Sequence, residues 1–362
     1  MNQWPTWLPL RQNLRELSPY GAPQLPADAV MNTNENPYAP SPALAEATAS
    51  RVAEVALTLN RYPDRDAVVL RNKLAVFIND LSGTDFDSRN IWAANGSNEI
   101  IQSLFLAFGG GTALGFTPSY SMHPLIAKVT QVQWLNGNRR EDFTLDIDAA
   151  IAQIQREKPA LTFITPPNNP TGSAVTIDEI EKIAKATSGL LVVDEAYAEF
   201  SDEKSAVTLL KKYPHIVVIR TMSKAFAFAG VRLGYLVADP AVVDAMYLVR
   251  LPYHLSALTQ VAAEVALDFK AELLGTVAQL RTDRDRVAAQ LTDMGLTVIP
   301  SSSNFLLFTG FAMPSAELWQ AMLDRGVLIR DVGLLGYLRV TIGNEAENKK
   351  FIATLSACLG EK

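Results

Sequence analysis

The chain has 362 residues, of which 48% are apolar and 19% charged, so it can bury a substantial core and is not intrinsically disordered. Its net charge is −6, with acidic and basic residues interspersed, which argues against the basic surface of a nucleic-acid or membrane-surface binder. The length favours two domains, and no apolar run is long enough to cross a bilayer.

The first 30 residues contain five prolines and predict an irregular arm that lies over another surface. Charged residues interrupt this stretch, so we expect no signal peptide. Two polar loops follow, NTNENPYAPSP at residues 32–42 and NRYPDRD at residues 60–66, and each leads into a helical pattern. Loops carry chemistry more often than the elements they join, so both are candidate walls of a site, with ordinary connection as the alternative.

A strand–turn–helix pattern begins near residue 91. Ser97 and Asn98 lie at the start of the helix, where free backbone N–H groups either are capped or form a cup for a phosphate. The next segment, FGGGTALGF, fails as a dinucleotide-binding fingerprint because Gly115 comes one residue late and no helix opens there. It predicts a turn before a strand.

Three apolar strands are predicted at residues 161–165, 190–194 and 216–220, with helical patterns between them. This alternation is typical of a mostly parallel sheet with helices on its faces, in which ligands bind at the carboxyl ends of strands. The polar residues that follow the strands are Asn169, Asp194, Tyr197, Ser223 and Lys224. Their convergence on one sheet edge is a stronger signal than any one motif.

Lys224 follows a β-branched strand and precedes six residues that carry no charge. Most lysines are solvated surface groups, but burial in apolar surroundings disfavours the ammonium form and lowers the pKa of the amine. A neutral amine is the nucleophile that a Schiff-base lysine needs. Glu195 follows Asp194 and is expected to point to the opposite face of the sheet, so we assign it no catalytic role.

A different pattern begins near residue 270, with a long helix, short strands in LTVIP, NFLLF and YLRVTIG, and two further helices. We therefore divide the chain into an arm (1–30), a large domain (31–270) and a small α+β domain (271–362). The only cysteine, Cys358, lies in an amphipathic stretch, where packing is favoured over catalysis. A lone cysteine excludes disulfides within the chain and favours a cytoplasmic location.

The residues predicted to converge are better suited to a site that binds pyridoxal 5′-phosphate than to the active site of a hydrolase. That cofactor needs an amine, a carboxylate that keeps its ring nitrogen protonated, and donors to its ring oxygen and phosphate. The chain has no GxSxG, HExxH or GxxxxGK[ST] motif, and its three histidines lack metal-ligand spacing.

The segments NENPY, RYPD, NGSNE, PNNPTG, VVDEAYAEF, RTMSKAFAFAGVRLGY, RLPYHLS and LRVTIG resemble the fold-type I aminotransferases, and specifically the histidinol-phosphate aminotransferases. The resemblance covers nearly the whole chain in order. It implies an α/β fold in which a large domain, with a mostly parallel mixed sheet between helices, carries a smaller α+β domain. It also implies a homodimer without nucleic-acid or membrane partners.

The resemblance implies that Lys224 binds the cofactor covalently and then acts as general base. Asp194 would pair with the pyridine nitrogen, Tyr197 and Asn169 with the ring oxygen, and Tyr120 would stack on the ring. The residues implied for the phosphate are Ser97, Asn98, Thr221, Ser223 and Arg232, joined by Tyr62 from a second subunit. Simple packing is the alternative for Tyr62.

On the substrate side, Arg339 resembles the arginine that grips a carboxylate and Arg330 one that binds the substrate phosphate, with a surface ion pair as the alternative for Arg330. Tyr20, Asn36 and Tyr253 would complete the substrate pocket. The implied reaction moves the amino group of L-histidinol phosphate to 2-oxoglutarate, giving imidazole acetol phosphate and L-glutamate in histidine biosynthesis.

Three other functions are considered. An aromatic amino acid aminotransferase and a phosphothreonine decarboxylase share the fold and cofactor. A non-catalytic regulator of this family would need an added DNA-binding domain, for which the chain has no spare length.

Overall fold

The computed structural model describes residues 4–360, so the outermost residues of the predicted arm (1–3) and small domain (361–362) lie outside the described part. The helices are α1 Gln12–Arg15, α2 Pro42–Ala56, α3 Val68–Ser82, α4 Ser97–Phe108, α5 Met122–Thr130, α6 Ile147–Glu157, α7 Ile177–Ala186, α8 Pro240–Val249, α9 Ala257–Asp268, α10 Lys270–Asp293, α11 Ser315–Asp324 and α12 Glu345–Gly360. The strands are β1 Ala29–Val30, β2 Ile91–Ala94, β3 Ala113–Thr117, β4 Trp134–Asn138, β5 Leu161–Ile164, β6 Leu190–Asp194, β7 Ile216–Thr221, β8 Gly234–Ala238, β9 Thr297–Val298, β10 Phe305–Thr309, β11 Val327–Leu328 and β12 Leu338–Thr341.

The central sheet has seven strands in the order β2-β8-β7-β6-β5-β3-β4. Strand β8 runs antiparallel to both neighbours, and the strands from β7 to β4 are mutually parallel. The predicted strands β5, β6 and β7 are confirmed, and the glycine-rich segment does lead into strand β3. The result is the predicted mostly parallel mixed sheet.

Strands β6 and β7 are buried on both faces, which is why they consist almost entirely of Val, Ile and Leu. Successive side chains enter different cores. Val193 and Val218 pack in one hydrophobic cluster, while Val192 and Val217 pack in another on the opposite face. This double burial fixes the strand register, and so fixes which residues emerge at the carboxyl ends.

The C-terminal part holds an antiparallel sheet in the order β12-β10-β9, with α10, α11 and α12 nearby. The predicted helices and strands of this part are confirmed, with helix ends shifted by one residue. Helix α9 is an addition that the sequence pattern did not reveal. It begins at the cap residue Ser256, whose side chain accepts from the backbone N–H of Thr259.

The arm is less irregular than predicted. Residues 10–18 contain no proline, and this gap allows the single helical turn α1. At the end of the arm, β1 pairs in parallel with β11, so Ala29 lies opposite Val327. The backbone at residues 29–30 is therefore hydrogen-bonded to the C-terminal part of the chain.

Candidate active site

A cavity of about 480 Å³ opens at the carboxyl ends of β5, β6 and β7, where ligands are expected in such a sheet. The predicted site residues that line it are Tyr20, Ser97, Asn98, Tyr120, Asn169, Asp194, Tyr197, Thr221, Ser223, Lys224, Arg232, Arg330 and Arg339. The register of the buried strands thus brings these distant parts of the chain together.

Lys224 comes three residues after β7, and its amine reaches into the cavity, where Nζ donates to the carbonyl of Thr33 at 2.9 Å. The pKa of this amine is lowered to about 8, chiefly by burial; the charges of Arg339 and Arg232 contribute to the lowering, and that of Glu35 opposes it. The lowered pKa predicted from the apolar sequence is confirmed. A reactive neutral amine is therefore accessible near neutral pH.

Asp194 ends strand β6 and is buried at the cavity floor. One carboxylate oxygen, Oδ2, lies 3.0 Å from Nε2 of the equally buried His123. The other, Oδ1, is buried without a hydrogen-bond partner among the described residues. An unpaired buried acceptor needs a donor, and the protonated nitrogen of a heterocyclic ring would supply one.

Tyr197 and Asn169 meet across the cavity, with Nδ2 of Asn169 3.5 Å from the Tyr197 hydroxyl. Asn169 Oδ1 accepts from Nη1 of Arg339 at 2.6 Å, and Asn34 Nδ2 donates to the Tyr197 hydroxyl at 2.9 Å. Burial raises the pKa of Tyr197, so the phenol keeps its proton at neutral pH. The cluster therefore presents a neutral hydroxyl to the cavity.

The residues predicted for phosphate form a cradle at the amino-terminal end of α4. Ser97 is the first helical residue, and the 12-residue helix directs free backbone N–H groups toward the cavity. Across from it, Ser223 Oγ accepts from Thr221 Oγ1 at 3.0 Å and from Arg232 Nη1 at 3.3 Å. Hydroxyls, backbone amides and a guanidinium are the donors that a phosphate group accepts.

Gly96 is needed for this cradle. Its φ of 81° is a left-handed conformation that favours glycine, and a Cβ there would lie 2.6 Å from Nη2 of Arg232. Any side chain would displace the guanidinium. The backbone before α4 and Arg232 are thus packed closely together.

Tyr120 lines the same cavity. Its hydroxyl donates to Asn98 Oδ1 at 3.1 Å, and its ring meets His123 edge-on at 5.4 Å. Burial raises the pKa of this phenol as well. These contacts fix the ring, which a planar ligand above Asp194 could use for stacking.

Arg339 is a buried cation that no carboxylate neutralises within residues 4–360. Its Nη2 donates to the Asn32 carbonyl at 2.8 Å, its guanidinium lies 5.1 Å from the ring centre of Phe305, and its Nε has no hydrogen-bond partner in the described part of the chain. Burial lowers its pKa to about 10, so it stays charged at neutral pH. A buried, charged and incompletely satisfied guanidinium is suited to bind an anion.

Arg330 also lines the cavity, and its backbone exchanges two hydrogen bonds of 2.9 Å with that of Arg339. The two arginines therefore enter the cavity from adjacent backbone positions. Tyr20, from the arm, lines the same space. Two cations side by side allow a ligand with two anionic groups.

Three predicted residues lie outside the cavity of this chain. Asn36 Nδ2 instead donates to the Ala225 carbonyl at 3.3 Å and to Thr276 Oγ1 at 3.0 Å. Asn36 therefore anchors its loop beside Lys224, and its contact with the substrate stays a prediction. Tyr62 and Tyr253 are 78% and 40% exposed and stack on each other at 4.3 Å. Their predicted roles require another subunit.

Residues 29–355 match the family model of the class I and II aminotransferases. The chain belongs to this family. It is 57% identical to the histidinol-phosphate aminotransferase of Mycolicibacterium smegmatis, over 96% of this chain and 92% of that protein.

Solved structures show the fold of this aminotransferase. The histidinol-phosphate aminotransferase of Sinorhizobium meliloti, in complex with pyridoxal-5′-phosphate, matches with a TM-score of 0.84 and 24% identity over 97% of each chain. The L-threonine-O-3-phosphate decarboxylase of Porphyromonas gingivalis matches with a TM-score of 0.78 and 23% identity, over 92% of this chain and all of that one. The predicted fold-type I class is confirmed.

Sequence reasoning missed several residues of the aminotransferase site. Thr33, Asn34 and Glu35 line the cavity, although Asn36 was chosen from the same polar loop. The three histidines lack metal-ligand spacing in the sequence, and no role is predicted for His123, yet α5 places it against Asp194. The polar run NTNEN was the available signal for the first three, and none existed for His123.

Two further observations concern membrane spans and metal ligands. Within residues 4–360, no helix is both long and apolar enough to span a membrane. The same part of the chain contains no group of three or more His, Cys, Asp or Glu side chains arranged to hold a metal ion.

Proposed function

We propose that the protein transfers the amino group of L-histidinol phosphate to 2-oxoglutarate, with pyridoxal 5′-phosphate as cofactor, as a step of histidine biosynthesis. The observation that carries the proposal is one cavity that holds an amine of lowered pKa, a carboxylate with a free acceptor oxygen and an anion cradle. The 57% identical relative, which is named for this reaction, supports the choice of substrate.

The described residues fit the cofactor. Lys224 would hold it covalently, the free Oδ1 of Asp194 would accept from its ring nitrogen, and Tyr197 with Asn169 would face its ring oxygen. Its phosphate would lie in the cradle, and Tyr120 would cover the ring. When bound, pyridoxal phosphate draws electrons away from the substrate carbon and carries the amino group between the two substrates.

Lys224 has two tasks in this proposal. Its neutral amine would hold the cofactor, and the same amine, when free, would act as the general base that moves a proton at the substrate carbon that bears nitrogen. A pKa near 8 suits both, because the group must be neutral to attack and protonated to return a proton. Asp194 would face the ring nitrogen with Oδ1, and His123 fixes the carboxylate through Oδ2.

Substrate binding would use the two adjacent arginines. Histidinol phosphate carries a phosphate ester where glutamate carries a carboxylate, so one pocket must accept both anions. The planar guanidinium of Arg339 or Arg330 presents two parallel donors to either group. Tyr20 would cover the pocket from the arm.

We also propose a cytoplasmic homodimer in which Tyr62 reaches the phosphate of the neighbouring subunit. Exposed apolar side chains around the stacked pair support it: Leu57, Leu59, Leu248 and Leu251 are all exposed. Their two segments adjoin, because Arg250 Nη1 donates to the Arg65 carbonyl at 2.8 Å. An active enzyme that sediments strictly as a monomer would remove Tyr62 and Tyr253 from the site.

The proposed domain division places the boundaries at residues 30 and 270. The start of α10 at Lys270 and the separate antiparallel sheet of the C-terminal part support the second boundary. The pairing of β1 with β11 ties the end of the arm to the small domain.

A donor panel with the purified protein tests the function. We expect steady-state transamination with histidinol phosphate to exceed that with phenylalanine, using 2-oxoglutarate as acceptor. Preference for phenylalanine would identify an aromatic aminotransferase. Release of carbon dioxide from phosphothreonine would identify a decarboxylase.

A further inference from the structure

The hydroxyl of Tyr197 lies between two amide N–H donors. Asn34 Nδ2 lies 2.9 Å and Asn169 Nδ2 3.5 Å from the phenol oxygen. A phenol has one proton to donate and accepts through its oxygen lone pairs. Which way the proton of Tyr197 points therefore depends on whether those two amides present N–H or C=O groups to it.

Thr341 sets the orientation of the Asn34 amide. The backbone N–H of Asn34 donates to Thr341 Oγ1 at 3.0 Å, so the single hydroxyl proton of Thr341 is left for another acceptor. That acceptor is Asn34 Oδ1, also at 3.0 Å. With Oδ1 engaged by Thr341, only the NH₂ end of Asn34 can face Tyr197.

The backbone holds Asn34 in this arrangement. Its φ of 56° is the left-handed conformation, in which asparagine is better tolerated than most residues. Its carbonyl accepts from Asn304 Nδ2 at 3.2 Å, and both side chains are buried. The geometry is thus fixed by contacts with the C-terminal part of the chain.

The second amide is oriented from the same strand. Arg339 occupies Oδ1 of Asn169, which leaves the NH₂ end of Asn169 toward Tyr197. Arg339 and Thr341 are two residues apart on β12 and share one face of the strand. With two donors aimed at its oxygen and no acceptor for its proton among the described residues, the phenol must donate into the cavity.

We propose that Asn34 and Thr341 are positioning residues that make Tyr197 a hydrogen-bond donor toward the ring oxygen of the cofactor. Thr341 acts on Asn34, and Asn34 acts on the phenol. This inference rests on the proposed cofactor and does not depend on which amino donor is the substrate.

The test is a pH titration of the holoenzyme, which gives the apparent pKa of the visible absorption band. Thr341→Val keeps the shape of the side chain and removes the hydroxyl, so the Asn34 amide can turn its oxygen toward Tyr197 and capture the phenol proton. The ring oxygen then loses its donor, and we expect the apparent pKa of the band to rise by about 1 unit, the size of one hydrogen bond to a charged group. Thr341→Ser keeps the hydroxyl and should titrate like wild type.

Asn34→Asp provides an independent variant, because a carboxylate can only accept from the phenol. We expect its apparent pKa to rise at least as far as that of Thr341→Val. If the valine variant fails to fold, Thr341→Ala removes the same hydroxyl with less bulk. Equal unfolding temperatures of the Thr341→Ser and Thr341→Val holoenzymes would show that the shift in apparent pKa does not result from a general loss of structure.

A double variant decides whether Thr341 acts through Tyr197. Tyr197→Phe alone should raise the apparent pKa, and adding Thr341→Val to it should raise it no further. An additive shift, or a wild-type titration in Thr341→Val and Asn34→Asp, would overturn the proposal. A wild-type protein that binds the cofactor and titrates as described, yet does not turn over histidinol phosphate, would refute the proposed substrate and leave this inference standing.

Discussion

The two faces of the sheet at the ends of β6 and β7 differ in whether their buried charged side chains lie near groups of opposite charge. On the cavity side, Lys224 and Arg339 form no ion pair with a carboxylate among residues 4–360, and Asp194 keeps one oxygen free. On the other side, Arg220 Nη1 lies 3.6 Å from Glu195 and 3.5 Å from Glu199, so buried charges compensate one another.

Strand alternation produces this difference. Asp194 and Glu195 are neighbours in sequence, yet Asp194 lines the cavity while Glu195 accepts from Ser205 Oγ at 2.7 Å and from the Ala206 backbone at 2.6 Å. The expectation that Glu195 faces away from the site is confirmed. Buried cations without a carboxylate partner mark the face that binds ligands. Oppositely charged groups lie close together on the other face, although Arg220 Nε and Nη1 make no hydrogen bond there among the described residues.

The largest expected effect comes from removing the amine. Lys224→Ala should abolish the visible absorbance of the bound cofactor and lower kcat by more than about 1000-fold, because both covalent binding and proton transfer are lost. Lys204→Ala, an exposed lysine on the far side of the sheet, is the matched control and should keep both. Full transamination by purified Lys224→Ala would refute the mechanism.

A pair of amide substitutions compares the two faces directly. Asp194→Asn should lower kcat on the order of 100-fold with little change in the unfolding midpoint, because it removes the charge that faces the ring nitrogen. Glu195→Gln should leave kcat within a few-fold and reduce the free energy of unfolding by about 1–3 kcal/mol, because it weakens a buried charge network.

Steady-state kinetics and denaturant unfolding of both variants measure the contrast. If Glu195→Gln lost activity as severely as Asp194→Asn without losing stability, the division between a ligand face and a structural face would be wrong.

A smaller effect is expected at the substrate end of the cavity. Arg330→Ala should raise KM for histidinol phosphate about 10- to 100-fold, the cost of a hydrogen-bonded charge contact, and change kcat less. Arg156→Ala, at an exposed ion pair with Glu157, serves as the control. Unchanged KM in Arg330→Ala would place that side chain outside the substrate site.

The central strands β5, β6 and β7 could be predicted from sequence because they are apolar runs bounded by polar turns, whereas β4, β8, α5, α6, α8 and α9 were not predicted. The three strand ends also predicted where Asp194, Tyr197 and Lys224 would meet, since parallel strands end at one edge. The short pieces α1 and β1 were not predictable in this way, because a single turn and a two-residue strand depend on tertiary contacts.

The contacts of the site that could not be predicted from the sequence are those between residues that are distant in sequence. His123 reaches Asp194 only because α5 packs beside the sheet, and Asn34 reaches Tyr197 only because Thr341 holds it. The choice of Asn36 within a loop of several asparagines shows the same difficulty. A polar loop reveals that it borders a site, but which of its side chains enters the cavity depends on contacts with other elements.

The smallest expected effect concerns how the surroundings of Lys224 set the pKa of its amine. Cofactor-free protein should bind pyridoxal phosphate faster as pH rises, roughly tenfold per unit below a midpoint near 8 and levelling above it, because only the neutral amine of Lys224 reacts. Rapid-mixing absorbance measurements give this midpoint. An ordinary solvated lysine would instead show a midpoint above 10.

Two variants should move that midpoint in opposite directions. The positive charge of Arg339 lowers the pKa of Lys224 and the negative charge of Glu35 raises it, so Arg339→Gln should shift the midpoint up and Glu35→Gln should shift it down. Each shift should be smaller than the total lowering, because burial is its largest cause and remains in both variants. Shifts of the same sign would mean that changes in burial, and not the unpaired charges of the ligand face, control the amine.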